Sequence, residues 1–264
     1  VLRAALYAGA SVILQNGFTF AKDLETNIKT YRCTGMASVP ASMEMLCRQM
    51  GEHFAQALGG LRYIEIGAGS LPVDRKRKLL EQLPNVRLYN TWGSSETGGA
   101  VFLDCTAHPD KLDTIGRPGE GIAFKAVDPE GRAIQARDLN SAGRMALRGP
   151  MQMAGYYHMP EATAEALVDG WLFTNDMVYM DADGFVHMLG RADDIINVGG
   201  EKVSPVEVEN AAQEFEEVRE CACIGAEDPD GLLGWVPVLY VVSEGMEFHK
   251  DQLTRFLSER LERY

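Results

Sequence analysis

Apolar residues recur at helical spacing in the N-terminal part of the chain, and short apolar runs lie between these periodic stretches. The periodic stretches predict amphipathic helices over 24–31, 42–54 and 73–83, the last with a basic outer face. The runs predict buried strands over 61–66 and 85–92, each followed by glycines. Strands that alternate with helices and end in glycines predict a parallel α/β sheet.

The opening residues predict the end of a helix at AALYAGA, a glycine turn and a strand over 11–15. From residue 111 the turn sequences GRPGEG, DPEGR, NSAGR and DADG separate short strands, and a brief helix follows Pro160. This spacing predicts a small antiparallel sheet or distorted barrel. The predicted fold class is α/β, with the parallel-sheet layer in 1–110 and the small antiparallel β subdomain in 111–190.

Residues 191–264 predict a separate α+β C-terminal module. SPVEVENAAQEF begins a helix with Ser204 as N-cap, Pro205 at the first helical position and Glu207 completing a capping box. The strands VRECACIG and WVPVLYVV follow, and HKDQLTRFLSERLERY predicts an amphipathic last helix.

Charge and cysteine content exclude several classes of protein. A net charge of −13 argues against nucleic acid or an anionic membrane surface as the main partner. The five scattered cysteines match neither a disulfide framework nor a zinc site, and they predict free thiols in a reducing cytoplasm. The apolar opening is too short to span a membrane and has no signal-peptide charge pattern. A chain that begins at valine inside an apolar segment is expected to be part of a longer protein.

Residues 89–99, YNTWGSSETGG, carry the first candidate chemistry. One interpretation is a strand end, a turn and a helix start, with Ser94 or Ser95 as the cap and Glu96 near the helix dipole. The other is a nucleotide site. In it, glycine amides and Ser95 contact a phosphate, and Glu96 offers a hard oxygen to Mg²⁺. Trp92 would then give a flat face to a heterocycle, and Asn90 a donor and an acceptor for an adenine edge.

Two further stretches allow both a structural and a functional interpretation. Asp176 in WLFTNDMVYMDADGF either ends a strand as a polar residue or accepts two ribose hydroxyls. GRADDIINVGGEKVSP, residues 190–205, is either a solvated, salt-bridged turn or a hinge in which a few residues absorb a backbone change.

These three stretches, in this order, resemble the adenylate-forming (AMP-binding) superfamily of acyl-CoA synthetases, nonribosomal adenylation domains and firefly luciferase. WGSSETG resembles the family's aromatic-Gly-x-Thr-Glu motif, with Ser95 in place of threonine. TND resembles Thr-Gly-Asp, with Asn175 in place of glycine. GRADDIINVGGEKVSPVEVE looks like the family's hinge, and GAGSLP like the loop beside the adenine; TIGRPGEG, GRMALRGP and GYYHMPEAT also fit. The resemblance covers essentially the whole chain.

The resemblance implies a role for each matching residue. Ser95 would contact the α-phosphate and Glu96 would hold magnesium. Asp193 would be the hinge. The residues implied to bind the nucleotide are Gly67, Ala68, Gly69, Asn90, Trp92, Asp176 and Arg191. The segment implied to line the approach of the thiol contains Gly199, Gly200 and Lys202.

The implied activity is that of an ATP-dependent carboxylate–CoA ligase, with ATP, Mg²⁺ and coenzyme A as co-substrates or cofactors. A carboxylic acid attacks the α-phosphorus of ATP to give an acyl-adenylate, and the thiol of coenzyme A then displaces AMP. Small residues at Gly98, Gly99 and Ala100 favour an acyl chain or a ring over acetate, so a fatty or aromatic acid is expected, with fatty acid metabolism as one setting.

Two alternatives stay open: an adenylation domain that loads a carrier-protein thiol, and a non-catalytic nucleotide-binding module. The family's phosphate loop and its catalytic lysine of the adenylation step have no counterpart in the 264 residues. Since one lost donor of this kind typically lowers a rate by ~10²–10³, the chain alone is expected to be a poor catalyst.

Overall fold

The structure, a computed structural model, describes residues 2–15, 21–243, 245 and 248–261. The chain folds into two compact units. The first comprises Val1–Ser94 with Gly99–Gly116, and the second Ser95–Gly98 with Arg117–Tyr264. The predicted boundary at 111 and the separation of 191–264 as a module of its own stay predictions.

Helices and strands alternate in the first unit. The helices are α1 (Leu2–Tyr7), α2 (Ala21–Tyr31), α3 (Pro40–Met50), α4 (Phe54–Leu58) and α5 (Val73–Gln82). The strands are β1 (Gly35–Ser38), β2 (Tyr63–Gly67), β3 (Arg87–Ser94) and β4 (Gly98–Asp104). They lie side by side in the order β1-β2-β3-β4.

The first three strands of this sheet are parallel, which confirms the predicted α/β layer. Ile64 of β2 pairs with Met36 of β1 on one side and with Leu88 of β3 on the other. Ile64 and Ile66 are fully buried, as expected for a parallel sheet whose faces are covered by helices. The carboxyl ends of β2 and β3 therefore meet at one edge of the sheet.

One prediction for this unit is wrong. Residues 11–15 form no strand, and Leu14 is 77% exposed; an apolar run becomes a strand only where another strand pairs with it. The predicted basic outer face of α5 is present, since Arg77 and Lys78 are exposed, whereas Lys76 is turned inward and only 4% exposed. Its Nζ donates to the carbonyl oxygens of Leu112, at 2.7 Å, and Thr114, at 3.2 Å.

The second unit is mostly β structure. Its first strands are β5 (Arg117–Pro118), β6 (Ala123–Val127), β7 (Ala133–Ile134), β8 (Gly143–Arg148), β9 (Leu167–Val168), β10 (Trp171–Met180) and β11 (Val186–Arg191), with α6 (Pro160–Ala166) after β8. Five of these strands form a sheet in the order β11-β10-β8-β6-β7. All neighbours in it are antiparallel, which confirms the predicted antiparallel sheet.

The C-terminal part of this unit contains β12 (Ile196–Val198), β13 (Glu201–Val203), α7 (Pro205–Gln213), β14 (Val218–Glu227), β15 (Trp235–Ser243) and α8 (Lys250–Ser258). The predicted start of α7 is confirmed, because the Ser204 hydroxyl accepts the Glu207 N–H and donates to the Leu189 carbonyl. The predicted last helix ends at Ser258, and residues 262–264 lie outside the described residues.

A small core joins β12, β13, α7 and β14. It contains Ile196, Val198, Val203, Val208 and Cys223. The five cysteines are free thiols, as predicted. Within the described ranges, none of the helices has the length and apolarity needed to cross a bilayer.

Candidate functional site

The loop after β2 and the end of β3 carry the predicted adenine residues of the first unit. Gly67 is the last residue of β2 and pairs with Thr91 of β3. A Cβ on Gly67 would lie 2.9 Å from the Thr91 carbonyl oxygen, so only glycine allows the two backbones this close. Ala68 follows with φ of +63°, a left-handed conformation that is uncommon for alanine. Ala68 and Gly69 are exposed.

Asn90 and Trp92 lie on this same strand and, being two residues apart, on the same face of the sheet. Asn90 is only 7% exposed, and its Nδ2 donates to the Ile66 carbonyl oxygen at 3.0 Å. That bond uses one of the two amide protons. Trp92 is half-buried. The five residues predicted to surround an adenine thus gather at the carboxyl ends of two adjacent parallel strands, where ligands of such sheets bind.

Glu96 belongs to the second unit and lies in the turn between β3 and β4. The interpretation of this stretch as a helix start is wrong, because strand β4 begins at Gly98. The Tyr156 hydroxyl donates to Glu96 Oε1 at 3.0 Å, and the Met153 N–H donates to the Glu96 carbonyl at 2.7 Å. The bond to Glu96 raises the pKa of the Tyr156 hydroxyl. Ser95 beside it is exposed.

The surroundings of Glu96 fit a magnesium ion carried by a nucleotide. Among the described residues, no group of three or more His, Cys, Asp and Glu side chains could hold a metal ion. Magnesium in proteins usually takes one or two carboxylates, substrate phosphates and several waters. The half-buried Glu96 carboxylate on a turn suits a magnesium site completed by phosphates and waters, and not a site made of protein ligands alone.

Asp176 lies within β10, four residues before its end at Met180, so the interpretation as a strand-ending polar residue is wrong. Between Phe173 and Met177 the strand bulges, because residues 174–176 of β10 lie opposite a single residue of β8, Met145. Bulges of this kind often re-aim a side chain near a functional site. Burial raises the pKa of the Asp176 carboxyl, while the Thr174 hydroxyl and the Arg191 guanidinium act in the opposite direction.

The structure brings Asp176 and Arg191 together. They are directly opposite each other in the antiparallel β10–β11 pair. The next residues along the chain bind the bulge as well: the Ala192 N–H donates to the Asn175 carbonyl at 2.7 Å, and Asn175 Nδ2 donates to Asp193 Oδ2 at 2.6 Å. The predicted ribose residue and the predicted hinge are thus neighbours across two strands.

Gly199 and Gly200 form the two-residue turn of the β12–β13 hairpin. Their φ angles are +60° and +106°, and positive φ at both positions is the requirement of the tight hairpin turn. The Gly200 N–H donates to Asn197 Oδ1 at 2.8 Å. Lys202 pairs with Asn197 and is exposed.

Sequence reasoning missed two partners of the predicted residues. Tyr156 binds Glu96 from 60 positions away, and the side chain of Asn175 binds Asp193 from 18 positions away. The signal for Tyr156 was its place in GYYHMPEAT, which fitted the family without a role. No short-range spacing links either pair, so only the fold could reveal them.

Comparison with known proteins identifies the family of the chain. The family described as AMP-binding enzyme matches residues 1–157, and the AMP-binding enzyme C-terminal domain matches residues 207–264. The feruloyl-CoA synthase of an Amycolatopsis species is 30% identical over 261 residues, which are 98% of this chain and 51% of that protein. The chain therefore spans about half the length of the relatives it matches.

Solved structures show the same fold. The amide bond synthetase McbA of Marinactinospora thermotolerans has a TM-score of 0.88 and 27% identity, with 98% of this chain and 51% of that chain covered. The o-succinylbenzoate coenzyme A synthetase of Bacillus subtilis, in complex with ATP and a magnesium ion, has a TM-score of 0.82 and 26% identity, with 100% and 52% covered. The chain belongs to the AMP-binding enzymes and has the adenylate-forming enzyme fold.

Proposed function

We propose that the chain is the nucleotide-binding part of an ATP-dependent carboxylate–CoA ligase that activates an aromatic acid. The observation that carries the proposal is the similarity to a feruloyl-CoA synthase along 98% of the chain. Glu96 and Asp176, the two carboxylates that the chemistry needs, are both present within that span. A non-catalytic nucleotide-binding module would have no need of Glu96, whereas Asp176 would serve ribose binding in either case.

Each group of residues has a separate task in this proposal. The backbone of Gly67–Gly69 and the ring of Trp92 hold the faces of the adenine, and Asn90 binds its edge through the amide groups that Ile66 leaves available. Asp176 accepts the ribose hydroxyls, which an ionised carboxylate does well because it only accepts. Arg191, opposite Asp176, contributes positive charge beside the ribose and phosphates.

The first step joins the acid to the nucleotide. An oxygen of the substrate carboxylate attacks the α-phosphorus of ATP, the bond to the β-phosphate oxygen breaks, and pyrophosphate leaves. Ser95 donates to an α-phosphate oxygen, and Glu96 would hold a magnesium ion, which would neutralise charge on the phosphates. In the second step a thiol attacks the acyl carbon and AMP leaves. The residues act by positioning and charge neutralisation.

An aromatic acid is proposed because both named CoA-forming relatives carry aromatic acids in their names, feruloyl and o-succinylbenzoate. They give no support to the expectation of fatty acid metabolism. The small residues after Glu96 leave less room than their size suggests, since a Cβ on Gly98 would lie 2.5 Å from Met151 Cε. Met151 is flexible and unbranched, so it can adapt its shape to a flat ring.

The test uses the full-length natural protein. Exchange of labelled pyrophosphate into ATP is measured with hydroxybenzoic, hydroxycinnamic and medium-chain fatty acids. We expect exchange with at least one aromatic acid, and at least a roughly hundredfold loss in Glu96→Gln, of the size seen when one pre-organised electrostatic contact is removed. Glu161→Gln, an exposed carboxylate of α6, is the matched control and keeps full activity.

Three outcomes would count against the proposal. Exchange with fatty acids alone would overturn the aromatic class. Full exchange in Glu96→Gln would remove magnesium binding from that residue. Transfer of the activated acyl group to an amine or a carrier protein, but not to coenzyme A, would replace the proposed acceptor.

A further inference from the structure

Two hydrogen bonds of Asn175 join the bulge of β10 to the segment after β11. The Asn175 carbonyl accepts the Ala192 N–H at 2.7 Å, and the Asn175 side-chain amide donates to Asp193 Oδ2 at 2.6 Å. A third bond, from the Asp194 N–H to the Arg191 carbonyl at 3.0 Å, closes the segment into a turn. Residues 191–194 are thus held on the strand that carries Asp176.

The two hydrogen bonds of Asn175 differ in the residue type that they require at position 175. The main-chain bond can form with any residue at position 175. The side-chain bond needs a side chain that can donate, and the glycine that the family motif has at this place could not make it. It is also the stronger kind, since its acceptor is an ionised carboxylate. This contact is therefore particular to chains with Asn175.

The partner of this bond lies where the two matched family regions are joined. The AMP-binding match ends at residue 157 and the C-terminal-domain match begins at residue 207, and Asp193 lies between them. Beyond Asp193 the chain passes through a hairpin turn of two glycines before α7 begins at Pro205. A backbone rotation at residue 193 must carry its side chain away from Asn175 or turn it, and either movement breaks the bond.

We propose that Asn175 is a positioning residue that holds 191–194 on the Asp176 bulge and so slows the backbone change at Asp193 between the two half-reactions. The role of this change rests on the proposed function; the restraint itself does not. In the held conformation Arg191 stays opposite Asp176, as the binding of the ribose requires. Release of the Asn175 amide frees the segment to rotate.

The direct test is hydrogen exchange of the backbone amides of 191–195, followed by mass spectrometry in the full-length protein. Asn175→Ala keeps the main-chain bond and removes only the side-chain contact. Asn175→Asp keeps the size but places a carboxylate against that of Asp193. We expect exchange to accelerate roughly fivefold in Asn175→Ala, of the order expected for one exposed hydrogen bond, and further in Asn175→Asp. Asn140→Ala, an exposed loop asparagine of the same unit, leaves this exchange unchanged.

A double-mutant cycle assigns the effect to the contact. In an Asp193→Ala background the Asn175 amide has lost its carboxylate, so Asn175→Ala is expected to add no further acceleration. Equal acceleration in both backgrounds would overturn the proposal, and so would unchanged exchange in Asn175→Ala. Neither measurement needs an active enzyme.

The effect on the reaction is tested separately. Pyrophosphate exchange reports the first half-reaction, and single-turnover transfer of the preformed acyl-adenylate to coenzyme A reports the second. We expect Asn175→Ala to change the ratio of the two rates at least about threefold, in favour of transfer. A purely structural role would lower both rates together and would overturn the proposal. If no acid supports exchange, the proposed function fails, and hydrogen exchange still decides whether Asn175 restrains the hinge.

Discussion

At the scale of single residues, Glu96 shows how a plain turn becomes a candidate site. The turn ends at Gly98, whose φ is +62°, and the carboxylate is oriented by the Tyr156 hydroxyl at 3.0 Å. Tyr156 is itself fixed through its main chain, because its N–H donates to the Thr163 hydroxyl at 2.9 Å. Thr163 lies in α6, so the orientation of one carboxylate depends on a loop and a helix far along the sequence.

Replacing Tyr156 by phenylalanine removes the bond to Glu96 and little else. We expect the magnesium concentration for half-maximal pyrophosphate exchange to rise about three- to tenfold, because one hydrogen bond to a charged group is lost. The KM for the acid stays the same. The affinity for the Mn²⁺ complex of a non-hydrolysable ATP analogue should fall by the same factor, which gives a reading that needs no turnover.

Tyr157→Phe is the matched control, since Tyr157 is the next residue and is 87% exposed. An unchanged magnesium requirement in Tyr156→Phe would show that Glu96 does not depend on the tyrosine. A rise of equal size in both variants would point to a general effect on the loop.

At the scale of elements, α5 shows that one lysine in a run of charged residues can be buried while its neighbours stay accessible to solvent. An unbroken run of charged residues follows Val73 in this helix, and its other basic side chains remain accessible. Lys76 is turned inward with Leu79, one helical turn on, and its ammonium group joins the helix to the carbonyls of Leu112 and Thr114. Burial lowers the pKa of Lys76 from 10.5 to about 8, with Cys105 and Asp113 acting in the opposite direction.

This pKa predicts how stability changes with pH. Below about pH 8 both the folded and the unfolded chain carry the Lys76 proton, so its contribution is constant. Between about 8 and 10.5 the unfolded chain binds more protons, and the free energy of unfolding therefore rises with pH by up to about 1.4 kcal/mol per unit. Lys76→Met should lack this rise, as measured by urea unfolding at several pH values across the window.

Lys78→Met is the control for that experiment. Lys78 lies on the exposed side of α5, where it pairs with Asp74 at 2.9 Å. Its removal should leave the slope of wild-type stability against pH intact. Identical slopes in Lys76→Met and the wild-type protein would mean that the buried ammonium group titrates as it does in the unfolded chain.

At the scale of the whole molecule, the dominant physical quantity is the net charge of −13. The proposed substrates are anions as well, so the net charge of this chain repels them and local donors must supply the attraction. Long-range repulsion is screened by salt, while contacts within the site are screened much less.

The association rate of ATP should therefore rise as salt increases from about 20 to about 200 mM, over which the Debye length falls from roughly 20 to roughly 7 Å. Stopped-flow fluorescence with a labelled ATP analogue measures this rate. Adenosine, which has no charge, is the control and should bind at a rate independent of salt. A rate that falls with salt would indicate that a local basic surface controls the approach of the nucleotide.

The sequence by itself determined those features that are encoded within a few residues. Helical spacing located α2, α3 and α5, the Ser204 cap marked the start of α7, and glycines after β2 and β3 marked the sheet edge where the proposed adenine residues lie. The ordered motifs also led to the family. Each of these signals is local, because periodicity, caps and turns depend on the backbone within one or two turns of helix or strand.

Only the tertiary structure decided which residues meet across long stretches of chain. It left 11–15 without a partner strand, turned Lys76 inward, and joined Tyr156 to Glu96 and Asn175 to Asp193. Strand pairing and burial depend on the segments that pack against a residue, and those segments lie tens of positions away in the sequence. A local pattern therefore predicts an element and its face, whereas the partner of a polar side chain follows from the packing of the whole chain.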